Sequence, residues 1–224
     1  MKSITSIIGA LVMMITPLMI NAQNDPANMA KYREHNKGLM ESGKVENRIV
    51  FMGNSITEFW NLKESFGDKP YVNRGISGQT TPQMLMRFKA DVIELQPEAV
   101  VILAGINDIA ENSGPIPLKE TAGNIFRMVE LAKDANIRPI MCSVLPAADF
   151  PWRPGLKPAT KIVELNQMLR EYAKSHNIPY VDYYSKMADK NLGLKKSYSG
   201  DGVHPNDTGY KVMSKILAKT LRNL

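Results

Sequence analysis

The chain has 224 residues, 44% of them apolar and 22% charged, which suits one globular domain large enough to bury a sizeable core. Its net charge is +6, yet the basic residues are scattered, with Lys195-Lys196 the only adjacent pair and no interleaved aromatics. That pattern argues against a nucleic-acid partner, which needs a concentrated basic patch. At the N-terminus Lys2 precedes an apolar run from Ile7 to Ile20, then small Ala22 and polar Gln23-Asn24-Asp25. This is the plan of a secretory signal peptide, so residues 1–22 are expected to be a removable leader and 23–224 the mature domain. The run falls short of the ~20 residues that span a bilayer, and no later stretch is long enough, so no integral membrane segment is expected after cleavage. The expected location is secreted or periplasmic; an uncleaved anchor is the alternative.

Residues 25–44 are polar with weak helical spacing at Met29, Tyr32, Leu39 and Met40. A buried strand is predicted over Arg48–Met52, ended by Gly53, and a very short one over Tyr71–Asn73. Helical spacing runs from Pro82 to Leu95, with Thr81 as the expected cap. Ala99–Ala104 is the strongest strand, followed by a helix over Leu118–Ala135 and a fourth strand over Pro139–Val144 that carries Cys142, the only cysteine. No internal disulfide is therefore possible, and Cys142 reads as a core thiol. A helix over Ala159–His176, a fifth strand over Ile178–Asp182 and a helix over Asp207–Leu221 complete the chain. Apolar strands alternating with amphipathic helices predict a parallel sheet covered on both faces. In such sheets the working residues gather after the C-terminal ends of the strands.

Four segments carry chemistry. Ser55 follows the first strand in Gly53-Asn54-Ser55-Ile56-Thr57, where its hydroxyl can face a crevice and its amide can open a helix. Thr57 stands where the second glycine of a five-residue nucleophile elbow would be, so this is not that motif. The second strand leads into Arg74-Gly75-Ile76-Ser77-Gly78, whose glycines let an amide approach a ligand closely. The third leads into Gly105-Ile106-Asn107-Asp108, where a carboxamide can donate to an oxyanion. The last is Asp201-Gly202-Val203-His204-Pro205-Asn206, an Asp/His pair in a loop before the final helix. Asp182 and Asp207 are weaker partners for His204, because neither shares its short loop. His35 and His176 lie in a polar segment and at a helix end, and are not expected to take part. The long loop after strand four, 145–155, is rich in Pro and aromatics and includes Trp152. It is expected to overhang the crevice or to cover the sheet.

These segments, in this order, resemble the blocks of the SGNH hydrolases, the GDSL-type esterases and acylhydrolases. The stretch Asn73 to Asn107 is most similar to the platelet-activating-factor acetylhydrolase-like and secreted acetylesterase-like branches. The resemblance implies a flavodoxin-like, three-layer α/β/α sandwich with a five-stranded parallel sheet. It implies, position by position, Ser55 as nucleophile, Asp201 and His204 completing a triad, and an oxyanion hole from the Ser55 and Gly78 amides and the Asn107 side chain. Gly75 is the alternative donor to Gly78. Asn54, where the family usually has Asp, is expected to alter local hydrogen bonding without loss of activity. Asn54, Asp108 and Trp152 are the expected substrate contacts. The implied reaction is hydrolysis of short acyl esters, acetyl foremost, on a small molecule or a glycan, through an acyl-enzyme and without metal or cofactor. Lysophospholipid or thioester hydrolysis, and a non-catalytic glycan-binding relic, are the alternatives. Oligomeric state has no signature in the sequence.

Overall fold

The computed structural model describes residues 25–223, so the expected leader, residues 1–22, lies outside the described residues. Five strands form one parallel sheet in the order β2-β1-β3-β4-β5: β1 (Ile49–Gly53), β2 (Tyr71–Gly75), β3 (Ala99–Leu103), β4 (Arg138–Cys142) and β5 (Tyr180–Val181). Every residue of β1 and β3 is buried, as continuous apolar strands between two helical layers must be. Helices α4 (Thr81–Asp91), α6 (Leu118–Asp134) and α7 (Ala159–Ser175) pack side by side, while α3 (Leu62–Phe66) packs on the last helix, α9 (Asp207–Leu221). This is the expected three-layer sandwich.

Element ends shift for local reasons. Helix α4 begins at Thr81 and is capped by Thr80, whose amide donates to the Gln83 side chain 3.0 Å away in a capping box, one residue earlier than expected. It breaks at Asp91, and a 3₁₀ turn carries Ile93–Leu95. Strand β5 is cut to two residues because Pro179 lacks an amide hydrogen, and Asp182 turns away to Arg170 at 2.8 Å and to the Ser185 amide at 3.0 Å. The single-turn helices α2 (Ser55–Glu58), α5 (Ile106–Ile109) and α8 (Tyr184–Met187) show no apolar period to detect. The weak spacing near the N-terminus resolves into α1 (Arg33–Glu41).

Cys142 is fully enclosed in the core, and burial pushes its thiol up to about 12. On the α3/α9 side, Phe51, Trp60, Phe66 and Tyr71 form an aromatic cluster, and Trp60 stacks on Tyr210 of α9 at 5.8 Å. The strand order reverses at β1, with β2 on one side and β3 on the other. In open α/β sheets the crevice at that reversal, beyond the carboxyl ends of the strands, is where ligands bind.

Candidate active site

Ser55 sits at that reversal. Asn54 precedes it and caps α2, its Oδ1 accepting from the Ile56 amide at 3.0 Å. As the first residue of α2, Ser55 has no intrahelical acceptor for its amide. Its Oγ lies 2.9 Å from His204 Nε2, and His204 Nδ1 lies 2.7 Å from Asp201 Oδ2. A carboxylate only accepts, so on the neutral imidazole Nδ1 carries the proton and Nε2 offers its lone pair to the hydroxyl. Two separate parts of the sequence, the turn after β1 and the loop before α9, thus supply three groups that form one chain of hydrogen bonds.

Local chemistry shapes the histidine loop. Asp201 Oδ1 accepts from the Val203 and His204 amides at 2.9 and 2.8 Å and from Ser199 Oγ at 3.0 Å, a turn built by a short acidic side chain. Partial burial raises the Asp201 carboxyl, but its bonds to His204, Val203 and Ser199 outweigh this and hold it down at about 2. Asn206 then caps α9 through the Gly209 amide at 3.0 Å. Tyr210 Oη donates to Ile56 O at 2.9 Å, tying α9 to the helix of Ser55.

The loop after β2 supplies amides. Gly78 has φ +77°, a conformation that favours glycine, and among the described residues its amide meets no acceptor. The Gly75 amide is engaged by Asn73 Oδ1 at 2.8 Å, so the two glycines differ in what they have to offer. A Cβ on Gly75 would stand 2.0 Å from the Glu58 nitrogen, so its role is to let α2 lie against β2. Asn107, in α5 after β3, donates Nδ2 to Gln79 O at 3.0 Å, which leaves its second amide hydrogen for another acceptor.

Two of the three expected substrate contacts are occupied otherwise. Asn54 is 1% exposed and its carboxamide oxygen caps α2. Asp108 is also 1% exposed; its carboxylate accepts from the Thr81 amide and, at 2.5 Å, from the Thr81 hydroxyl, so it anchors the start of α4 and does not face the crevice. Burial raises its carboxyl above the ordinary value against the pull of those bonds. Trp152 does reach the site: its ring is 6.1 Å from the His204 ring, stacked on Phe150 at 5.2 Å, with Nε1 held by Asn112 at 3.0 Å. Sequence reading missed Phe59, an exposed ring 5.7 Å from His204 and one helical turn after Ser55; the i+4 spacing was the available signal. It also missed Arg87, fully buried in α4. Its guanidinium donates to Gly53 O at 3.0 Å, Arg74 O at 2.9 Å and Gln79 Oε1 at 2.6 Å, and pairs with Asp91 at 2.7 Å. The carbonyl before Asn54 and the residue after Gly78 are thereby fixed to one rigid group. Among the described residues no cluster of three His, Cys, Asp or Glu is placed to hold a metal ion.

Residues 51–212 match the model of the GDSL-like lipase/acylhydrolase family. The solved structure of a GDSL-like lipase from Bacteroides thetaiotaomicron is 46% identical, with a TM-score of 0.84 over 88% of this chain and 98% of that one. Human platelet-activating factor acetylhydrolase IB subunit alpha2 is 25% identical over 201 residues, 85% of this chain and 83% of the relative. An acetylxylan esterase of Xylanibacter ruminicola is 24% identical over 213 residues, 78% of this chain and 43% of the relative. With the expected five-stranded parallel sheet and a family match over most of its length, the chain belongs to the GDSL-like lipase/acylhydrolase family and is a carboxylic ester hydrolase.

Proposed function

We propose that the protein is a serine esterase that removes short acyl groups, acetyl foremost, from hydroxyl-rich substrates such as carbohydrates. The observation that carries the mechanism is the unbroken path from Ser55 Oγ through His204 to Asp201. His204 Nε2 takes the hydroxyl proton as Ser55 attacks the ester carbonyl, while Asp201 holds the tautomer and stabilises the imidazolium. The oxyanion meets the amides of Ser55 and Gly78 and the free hydrogen of Asn107. Each such donor contributes on the order of 3 kcal/mol to the transition state. His204 then protonates the leaving alcohol, and water activated by the same imidazole clears the acyl-enzyme.

The rim supports the substrate class. The leaving alcohol departs at His204, which Phe59 and Trp152 flank. Beyond them lie a groove of about 850 Å³ lined in part by Asp149, Asp189, Lys196 and Ser199, and one of about 380 Å³ lined in part by Asn61, Glu64 and Lys211. Aromatic faces edged by polar groups suit a sugar as the alcohol part of the ester. The acetylxylan esterase among the relatives is in keeping with this. We also place the mature enzyme outside the cytoplasm, on the leader-like residues 1–22.

Ser55→Ala is expected to lower p-nitrophenyl acetate turnover by several orders of magnitude with an unchanged circular dichroism spectrum, and to abolish labelling by a fluorophosphonate probe. Retained turnover removes Ser55 from the nucleophile role. Acetyl esters are expected to outpace octanoyl esters; the reverse order would favour a lysophospholipase or thioesterase.

A further inference from the structure

We propose that Glu58 is a positioning residue, whose carboxylate ties the loop bearing Gly78 to the helix of the nucleophile and so aims the Gly78 amide before substrate arrives. The proposal rests on the reading of Gly78 as an oxyanion donor and names what fixes that donor in space.

Glu58 is three residues beyond Ser55 on α2, a helix of four residues. Neither of its carboxylate oxygens is used within that helix. Oε2 accepts from both the amide and the hydroxyl of Ser77, each at 2.6 Å, and Oε1 pairs with Lys31 from the N-terminal segment. Ser77 is the residue directly before Gly78. Residues 77 and 78 are exposed, and Gly78 lacks a Cβ, has φ +77° and has nothing within 4 Å of where one would stand. Packing therefore does not hold this peptide in place; hydrogen bonds do. The flanks are anchored independently: Tyr32 Oη donates to Gly75 O at 2.5 Å, and Gln79 donates Nε2 to Ala27 O at 2.6 Å. Between those anchors the Ile76 amide donates to Gly53 O at 3.1 Å and the Gln79 amide closes the turn on Ile76 O at 3.3 Å, and Glu58 is the side chain that grips Ser77, the residue leading into the donor. The carbonyl of Gly78 itself has only a long contact, 3.4 Å from Asn112 Nδ2.

A link of this kind acts on catalysis more than on folding. Glu58 and Lys31 are partly exposed, with side chains 25% and 28% accessible, and such surface ion pairs contribute little to stability. Donor geometry is far more demanding, since a misplacement of about 1 Å costs about 100-fold in rate. The transition state gains from the Gly78 amide more than the ground state does, so its misalignment falls on kcat and spares KM.

The test is steady-state kinetics on an acetyl ester with Glu58→Ala and Glu58→Gln, alongside thermal melts and the affinity of a boronic acid that forms a tetrahedral adduct on serine. Glu58→Ala is expected to lower kcat about 10- to 100-fold, to leave KM within threefold, and to weaken the boronic acid in step with kcat. Glu58→Gln keeps the volume and an acceptor for Ser77, and is expected to recover most of the rate. If the alanine variant does not fold, Glu58→Leu, which keeps the bulk and removes the acceptor for Ser77, carries the test with the same loss of kcat, about 10- to 100-fold, expected. A Glu58→Ala rate within twofold of wild type, a loss confined to KM, or a glutamine variant as impaired as alanine would each overturn the role. If Ser55→Ala keeps its turnover, the reading of the site fails whatever Glu58 does. If Ser55→Ala is inactive and Glu58→Ala fully active, the positioning role fails alone.

Discussion

Gly75→Ala isolates the close approach on which the site is built. The added Cβ would lie 2.0 Å from the Glu58 nitrogen, 2.5 Å from the Glu58 Cα and 2.7 Å from the Asn54 carbonyl oxygen. All three are backbone atoms, so no flexible side chain can swing aside. Gly75 does not have positive φ, which leaves steric overlap as the penalty. Bringing the shortest contact from 2.0 Å to the 3.0 Å that real Cβ atoms respect needs about 1 Å of separation between α2 and β2. Overpacking of this kind costs about 1–3 kcal/mol, and rigid neighbours put it at the upper end. In a chain of this size that is a fall in Tm of roughly 6–12 °C. The same displacement carries Ser55 away from His204, so acetyl ester turnover is expected to fall about 100-fold. Gly123, inside α6 with no atom within 4 Å of a built Cβ, is the control. Alanine there is expected to raise Tm by roughly 2–4 °C, since glycine in a helix interior costs about 1 kcal/mol. Melting curves and p-nitrophenyl acetate rates measure both. A Gly75→Ala enzyme with wild-type Tm and activity would refute the steric reasoning.

Asp108→Ala is expected to destabilise by about 1–3 kcal/mol, because the Thr81 amide and hydroxyl lose their buried acceptor. KM is expected to stay within twofold; a large rise in KM would return Asp108 to the substrate. Asp201→Asn is expected to lower kcat by on the order of 10⁴, since the carboxamide favours the wrong histidine tautomer, and a loss below tenfold would contradict the triad reading. The same residue sets an acid limit. Its folded value of about 2 lies below the ~3.9 of an unfolded aspartate, so its contribution is complete above ~3.9 and is lost as pH falls through about 2. Acid melts of wild type and Asp201→Asn are expected to converge over that window; a constant gap would show that the carboxylate is not preferentially stabilised in the fold.

The element order was legible because β1 and β3 are continuous apolar runs and α6, α7 and α9 keep a helical period. Glycine, asparagine and serine stood out at strand ends, and the Asp/His pair stood out in the loop before the last helix. Neighbouring residues of one turn were not separable in this way. Asn107 and Asp108 look equivalent as letters, but about 100° of rotation per helical residue turns one toward Gln79 and the other toward Thr81. Arg74 and Arg87 stand in no pattern that marks them as buried, yet both are, because their donors are matched partly nearby, by Gln79 and Asp91, and partly across the fold, by Asn36 and the Gly53 carbonyl.

By itself the sequence determined the class of fold and the residue types available for acyl transfer, since both follow from local pattern: apolar runs for strands, periodic apolar faces for helices, turn chemistry at their ends. The tertiary structure decided which of those residues meet. Ser55 and His204, 149 positions apart, come within 2.9 Å because α9 packs on the aromatic cluster and Tyr210 fastens it to α2. That distance is a property of how the layers stack, and no local stretch of the chain encodes it.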